Sequence, residues 1–178
     1  RPADTAQAAI GQLYNNFTPL QLANYISTLA NGGKRYTPHI IKKVLKYDGS
    51  IVMEKEPEYE QVPVSPETIA AVKAGMVAVT TSIDGTAKDA FKDFPFEVAG
   101  KTGTAETGRE ATQSSNALFV CYAPADDPQI AVAVVIEKGV WGSYTAPVAR
   151  DILIEYFGLN KKTDFDDKVD TEDVVFTR

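Results

Sequence analysis

Residues 101–104 carry side chains that could hold a carboxylate at the edge of a strand. Lys101 offers a positive charge, and Thr102 and Thr104 offer hydroxyl donors. Gly103 has no side chain to prevent a ligand from approaching the backbone closely. An extended peptide can pair with an exposed strand edge as an additional strand. Because the stretch lacks the wider glycine spacing of a phosphate-binding loop, it favours recognition of a peptide carboxylate.

The same stretch also has a purely structural interpretation. Lys101 could be a solvated strand lysine, and Gly100 and Gly103 could mark a β-bulge. A Lys-Thr-Gly tripeptide arises by chance in roughly a few per cent of chains of this length, so the motif alone is weak. Its context strengthens the functional interpretation, because the motif lies on a predicted strand that opens a meander and precedes a closing helix.

The chain has one histidine and one cysteine, His39 and Cys121. No acidic partner or metal-ligand spacing accompanies His39, so we interpret it as a solvated or packing residue. Cys121 lies in the apolar run Ala117–Tyr122, which indicates a small core residue, and a lone cysteine can form no disulfide within the chain. Since too few ligands remain for a zinc site, we expect neither a metal nor a cofactor.

Length and composition restrict the function further. The chain has 178 residues, of which 44% are hydrophobic, so it has the size of one domain and can bury a core. Its net charge of −6 opposes binding to a nucleic-acid backbone. The longest apolar run, Ile130–Ile136, is far shorter than the about 18 to 20 residues that a membrane helix needs. The first residues lack the pattern of a signal peptide.

Three helices are predicted from caps and apolar spacing. The first spans residues 17–33, with Thr18 and Gln21 as a capping box. Pro19 takes its first position, and the Gly32–Gly33 pair ends it. Its inward face is predicted from residues at helical spacing, which are Leu22, Ile26 and Leu29.

The second helix is predicted over residues 65–79 and the last over Ala146–Phe157. For the last helix, Thr145 is the predicted N-cap and Gly158 the stop. The residues predicted to face inward are Ile69, Val72 and Met76 in the second helix and Val148, Ile152 and Tyr156 in the last.

The strands are predicted from alternation and turn residues. A β-hairpin covers residues 38–53, with a tight turn at Asp48–Gly49. An antiparallel meander then carries Lys101–Thr104 on its first strand, Ala117–Ala123 on its second and Gln129–Glu137 on its third. The third strand is almost wholly apolar, so both of its faces should be covered.

Together these elements predict an α/β fold of the α+β type, in which helices pack against an antiparallel sheet. We expect the packed part to cover residues 1–158. Residues 159–178 are rich in acidic side chains and are predicted to form a flexible, solvated tail.

Several segments of the sequence jointly resemble one known family. They are Ile10–Gln12, Phe17–Ala23 leading into Leu29–Gly33, Thr37–His39, Gly100–Glu106 and Phe119–Pro124. In order and spacing they resemble the C-terminal part of a class B penicillin-binding protein transpeptidase domain, particularly of the elongation type. The resemblance covers nearly the whole chain and implies the fold shared by penicillin-binding transpeptidases and serine β-lactamases, with only its C-terminal portion present.

The resemblance implies a peptidoglycan D,D-transpeptidase that cross-links D-Ala-D-Ala stem peptides through a serine acyl-enzyme and that β-lactams acylate. Lys101 would stabilise charge around the nucleophile. Thr102 and Thr104 would bind the carboxylate of the substrate or antibiotic, and Gly103 would belong to the same substrate-binding site. The Thr104 N–H would contribute to the oxyanion hole. The complete protein would lie at the extracytoplasmic face of the bacterial cell membrane, held by an N-terminal anchor.

The sequence departs from this family in one respect. No Ser or Thr stands three residues before any Lys, so the Ser-x-x-Lys nucleophile of the family does not occur in the sequence. Ser114–Asn116 reads as Ser-x-Asn, but it follows the Lys-Thr-Gly motif instead of preceding it, and we interpret it as a coincidence. We expect half of a domain with a boundary at Arg1–Pro2, inactive alone and completed by the N-terminal half.

Two other functions share the motif. A sensing or binding module would recognise β-lactams or muropeptides in the same groove without turnover, and an adjoining signalling helix or output domain would indicate it. A serine β-lactamase would need a deacylating base from outside this sequence, and nothing in the chain supports that alternative.

Overall fold

The computed structural model describes residues 2–12, 15–107 and 114–160. The helices in these ranges are α1 (Pro2–Ala9), α2 (Pro19–Ala30), α3 (Pro66–Thr81), α4 (Lys88–Phe91) and α5 (Ala146–Tyr156), with a 3-10 turn at Gly142–Thr145. The strands are β1 (Lys34–Tyr36), β2 (Lys43–Leu45), β3 (Ile51–Glu54), β4 (Tyr59–Gln61), β5 (Ala99–Ala105), β6 (Asn116–Ala123) and β7 (Ile130–Ile136). None of the helices described is long and apolar enough to span a bilayer.

The main sheet is the predicted antiparallel meander, with strands in the order β5-β6-β7. Lys101 is paired with Val120 and Thr104 with Ala117, and Ala117 is paired in turn with Ile136. The β5–β6 ladder runs from Ala99 to Ala105 without a register shift. The proposed bulge at the glycines of this strand is therefore wrong.

Two small ladders lie apart from the main sheet. The β2–β3 hairpin and its Asp48–Gly49 turn are confirmed, although β2 begins only at Lys43. The β1–β4 ladder was not predicted. Its strands have three residues each and lie more than twenty residues apart in the chain, so neither carries a local periodic signal.

The caps of α2 and α3 are confirmed. Thr18 accepts a hydrogen bond from the Gln21 N–H, and the Gln21 side chain accepts one from the Thr18 N–H. Ser65 caps α3 through the Thr68 N–H. Such caps depend on residues only three apart, which is why the sequence alone reveals them.

Both faces of the main sheet are covered, as expected for its apolar third strand. Phe119 and Cys121 of β6 pack with Leu153 of α5 and Phe91 of α4 on one face. On the other face Tyr122 packs against α2 and α3, and its neighbours there include Ile26, Ala30 and Met76. The alternation of side chains along β6 therefore divides the core into two layers.

The predicted inward face of α5 is wrong. Val148, Ile152 and Tyr156 are 42%, 41% and 54% exposed. The fully buried residues are Ala146, Ala149 and Leu153, which form an adjacent stripe on the helix. Two alanines at the contact let the helix backbone lie close to the sheet, and this arrangement leaves the larger apolar residues outside.

Two smaller predictions on the helices are also wrong. Val72 in α3 is 39% exposed, whereas Ile69 and Met76 are buried as predicted. Thr145 does not cap α5, because its hydroxyl donates to the Gly142 carbonyl and accepts no hydrogen bond from the helix. The predicted tail lies mostly at residues 161–178, outside the described residues, and stays a prediction.

Lys73 links the two helices on the Tyr122 side of the sheet. Its ammonium donates to the Ala30 carbonyl at the C-terminal end of α2, at 2.7 Å, and lies 5.6 Å from the centre of the Tyr122 ring. A cation at a helix C-terminus is favourable because the last carbonyls carry partial negative charge. The Tyr122 hydroxyl has no hydrogen-bond partner among the described residues, and burial raises the pKa of this phenol.

The environment of Cys121 leads to a prediction about its reactivity. Burial raises the pKa of the Cys121 thiol to about 12, and thiolate is the form that reacts. We therefore expect iodoacetamide to leave the folded chain unmodified at pH 8 and to alkylate Cys121 fully in concentrated guanidinium. Intact mass measures the modification. Stoichiometric labelling of the folded chain would place Cys121 outside the core.

Candidate functional site

The predicted site residues lie on β5, which is an edge strand in the part of the chain that the structure describes. The Thr102 carbonyl accepts a hydrogen bond from the Lys101 ammonium at 2.7 Å. The Thr104 carbonyl accepts one from the Gln12 side-chain amide at 3.1 Å. Both bonds come from side chains and not from β6, so the backbone groups of these two residues face the open edge. In a strand the N–H of Thr104 points to the same side as its carbonyl.

The threonine hydroxyls of β5 form hydrogen bonds to residues outside the strand. Thr102 Oγ1 lies 2.9 Å from Oγ1 of Thr86, in the connection between α3 and α4. Thr104 Oγ1 accepts the Gly142 N–H at 3.1 Å. Side chains two residues apart lie on the same face of a strand, so these two hydroxyls stand side by side next to the open edge.

Lys101 stands on the opposite face of β5 from the two threonines. Its side chain is exposed, and it forms no ion pair with any described residue. Its acceptor is the carbonyl of its own neighbour, so turning the ammonium toward a ligand at the strand edge would break only this hydrogen bond.

The glycines of this site permit close packing. A Cβ on Gly100 would lie 2.5 Å from Cζ of Phe119, in the core beneath the strand. A Cβ on Gly142 would lie 2.2 Å from the Gly103 carbonyl oxygen. The turn that contains Gly142 thus touches the backbone of the motif directly, and only glycine allows this contact.

Sequence reasoning missed three residues that contact the motif, which are Gln12, Thr86 and Gly142. Gln12 occurs in one of the segments that carried the family resemblance, but nothing in the sequence assigned it a contact with Thr104. The positions of Thr86 and Gly142 follow from tertiary packing, and the sequence around them carries no local signal for it.

Other candidates lie away from the motif or have structural partners. His39 is exposed on a shallow groove of about 400 Å³ beside the β2–β3 hairpin, with its ring nitrogen 3.3 Å from the Thr37 carbonyl. Asn116 begins β6, and its side chain accepts the Lys138 N–H at 3.1 Å. This bond joins the start of β6 to the segment after β7, and the interpretation of Ser114–Asn116 as a coincidence stays a prediction. The described residues include no cluster of three acidic, histidine or cysteine side chains that could hold a metal ion.

Comparison with known proteins connects this geometry to a family. The model of the penicillin binding protein transpeptidase domain matches residues 2–154. Penicillin-binding protein 2A of Bacillus subtilis is 37% identical, and the match covers 88% of this chain and 24% of that protein. The peptidoglycan D,D-transpeptidase MrdA of Haemophilus influenzae is 34% identical, with 89% and 26% covered. The chain thus spans about a quarter of the length of these relatives.

Solved structures show the same similarity. The imipenem acyl-enzyme complex of penicillin-binding protein A from M. tuberculosis superposes with a TM-score of 0.76 at 29% identity, and the match covers 88% of this chain and 34% of that one. PBP2 of Pseudomonas aeruginosa, in complex with WCK 5153, gives a TM-score of 0.72 at 35% identity, with 88% and 33% covered. The predicted fold class is confirmed.

The contact between Gly142 and Gly103 predicts that substitution of Gly142 destabilises the fold. Gly142→Ala should lower the free energy of unfolding by about 2 kcal/mol or more, because the new methyl group overlaps the backbone of β5. Gly75→Ala is the matched control: a Cβ there meets nothing within 4 Å, and the helix gains roughly 0.5 to 1 kcal/mol. Urea unfolding measures both values. Equal effects of the two substitutions would contradict the described contact.

Proposed function

This chain belongs to the penicillin-binding protein transpeptidase family, and on that premise we propose that Lys101–Thr104 forms one wall of a peptidoglycan D,D-transpeptidase active site. Relatives of the penicillin-binding protein 2 type confirm the resemblance to the C-terminal part of a class B enzyme. The observation that carries the proposal is the set of hydrogen-bond donors on one open strand edge, namely the hydroxyls of Thr102 and Thr104 and the N–H of Thr104.

The substrate in this proposal is a stem peptide that ends in D-Ala-D-Ala. Its backbone extends along the open edge of β5, and its terminal carboxylate accepts hydrogen bonds from Thr102 and Thr104. The Lys101 ammonium adds positive charge beside the carboxylate and the reacting groups. Because Gly103 has no side chain, the peptide can lie close to the strand.

Catalysis requires a serine nucleophile from the N-terminal half of the domain. The serine oxygen attacks the carbonyl carbon of the penultimate D-Ala, and negative charge develops on the carbonyl oxygen. The N–H of Thr104 stabilises that charge together with the N–H of the serine itself. The C–N bond of the terminal D-Ala breaks, and its new amine carries the proton that the serine hydroxyl lost. The amine of a second stem peptide then attacks the ester carbonyl, the bond to the serine oxygen breaks, and that oxygen regains a proton from the amine as the cross-linking amide forms.

The similarity extends the proposal to antibiotics and location. A solved relative is an acyl-enzyme with imipenem, so we propose that β-lactams acylate the complete protein through the same site. Stem peptides are cross-linked outside the cytoplasmic membrane, so the proposed function implies a site at the extracytoplasmic face. Residues 1–158 would form the C-terminal portion of the domain, and residues 159–178 a flexible tail.

The test uses the complete protein that contains this chain and a fluorescent penicillin. Lys101→Met should slow acylation about a hundredfold, since one charged group near the reaction centre is removed. Lys46→Met, on the exposed β2–β3 hairpin, is the matched control and should acylate at the original rate. The isolated chain should remain unlabelled, because its sequence has no Ser-x-x-Lys.

Gel fluorescence against time gives the rates. Unchanged acylation of Lys101→Met would overturn the proposed role of this strand. Formation of cross-linked peptide from D-Ala-D-Ala substrates separates a transpeptidase from a sensing module, which would be acylated but would form no product.

The far edge of the sheet supports the proposal of an N-terminal half as partner. Among the described strands, β7 pairs only with β6, so its second row of backbone groups lacks a partner strand. Residues Ile130–Ile136 include no charged side chain that would discourage pairing with another strand. A strand from the N-terminal half would satisfy this edge.

The free β7 edge predicts self-association of the isolated chain. At micromolar concentration we expect light scattering to give a mass above the 19.3 kDa monomer. Ile136→Lys, at the exposed end of β7, should shift the chain toward monomer because a charge on an edge strand opposes pairing. Ile83→Lys, on a loop away from this edge, is the control and should leave the mass unchanged. A monomeric isolated chain would argue against an unsatisfied edge.

A further inference from the structure

The 3-10 turn at Gly142–Thr145 lies next to Thr104 and is hydrogen-bonded to its hydroxyl. The Gly142 N–H donates to Thr104 Oγ1 at 3.1 Å. The Thr145 hydroxyl donates to the Gly142 carbonyl oxygen at 2.7 Å, and Thr145 is 0% exposed. Two successive hydrogen bonds therefore connect a fully buried hydroxyl to the hydroxyl at the strand edge.

The direction of the hydrogen bond from Gly142 determines whether the Thr104 hydroxyl can still donate its proton. A threonine hydroxyl has one proton to donate and two acceptor positions. The bond from Gly142 occupies an acceptor position and leaves the proton of Thr104 unused by any hydrogen bond within the described ranges. The proton is therefore available to a carboxylate at the open edge, whereas the Gly142 N–H fixes the orientation of the oxygen.

The position of Gly142 itself is tightly determined. Its backbone touches Gly103, because an added Cβ would lie 2.2 Å from the Gly103 oxygen and 2.7 Å from its nitrogen. Tyr144 closes the turn by donating its N–H to the Trp141 carbonyl at 3.0 Å. Among the described residues of the turn, Thr145 is the only one whose side chain forms a hydrogen bond to Gly142.

We propose that Thr145 is a positioning residue, which holds Gly142 so that the Thr104 hydroxyl presents its proton to the carboxylate of the stem peptide or β-lactam. Thr145 contacts neither ligand nor nucleophile and acts only through Gly142 and Thr104. The inference rests on the proposed function, because it assigns the carboxylate to Thr104.

The test compares a penicillin with its methyl ester in the complete protein. The ester removes the negative charge that the Thr104 hydroxyl recognises, so acylation by the ester depends less on the orientation of that hydroxyl. Thr145→Val deletes the hydroxyl at nearly constant volume. We expect it to slow acylation by the free acid about three- to tenfold and acylation by the ester by less than about twofold. Thr145→Ser should restore the acid rate.

Thr28→Val is the matched control. Thr28 is 7% exposed, and its hydroxyl donates to the Asn24 carbonyl at 2.7 Å, so this hydrogen bond lies within α2. Thr28→Val should keep the original ratio of the acylation rate with the free acid to that with the ester. If Thr145→Val does not fold, as judged by thermal unfolding, Thr145→Ala provides the same comparison.

The inference would be overturned if folded Thr145→Val kept the original ratio of the acylation rate with the free acid to that with the ester, whether or not both rates fell. Thr104→Val distinguishes a failure of the proposed carboxylate site from a failure of the positioning role of Thr145. If Thr104→Val also keeps the original ratio, the proposed carboxylate role of Thr104 fails. If it lowers the ratio while Thr145→Val does not, only the inference about Thr145 fails.

Discussion

The antiparallel pairing of β5 with β6 is the interaction on which the rest of this structure depends. It uses one side of β5, and no strand among the described residues pairs with the other side. The backbone of the Lys-Thr-Gly stretch meets only side chains there, since the Thr102 and Thr104 carbonyls accept from Lys101 and Gln12. The uninterrupted register also alternates the side chains, with Lys101 on one face and the two threonines on the other. A shift of one residue would exchange the faces and place the lysine over the aromatic core.

The packing around β6 keeps this edge in place. Phe119 lies beneath Gly100 on one face of the sheet, and Tyr122 fills the other face between α2 and α3. The Thr80 hydroxyl of α3 donates to the Val98 carbonyl at 2.5 Å, immediately before β5 begins. Because β5 is held by β6, by the core and by this helix contact, its outer edge needs no further strand to remain ordered.

Local signals in the sequence predicted α2, α3, α5, the β2–β3 hairpin and the meander, whereas α1, α4 and the β1–β4 ladder were not predicted. The capping box of α2 and the strands of the meander depend on neighbouring residues, and they were found. The inward face of α5 was assigned to its larger apolar residues, but the sheet selects the stripe with Ala146 and Ala149, because small residues let the helix approach. The family resemblance identified Lys101–Thr104, whereas Thr86 and Gly142 reach the motif only through folding.

The contact between Gly142 and Gly103 limits how the site can change during evolution. Two backbones meet there without intervening side chains, so no substitution can adjust their separation gradually. Any larger residue at Gly142 forces either the 3-10 turn or the backbone of β5 at Gly103 to shift. Adaptation to a new ligand must therefore accumulate around this contact, at positions such as Gln12 and Thr86 that touch the motif through exchangeable side chains.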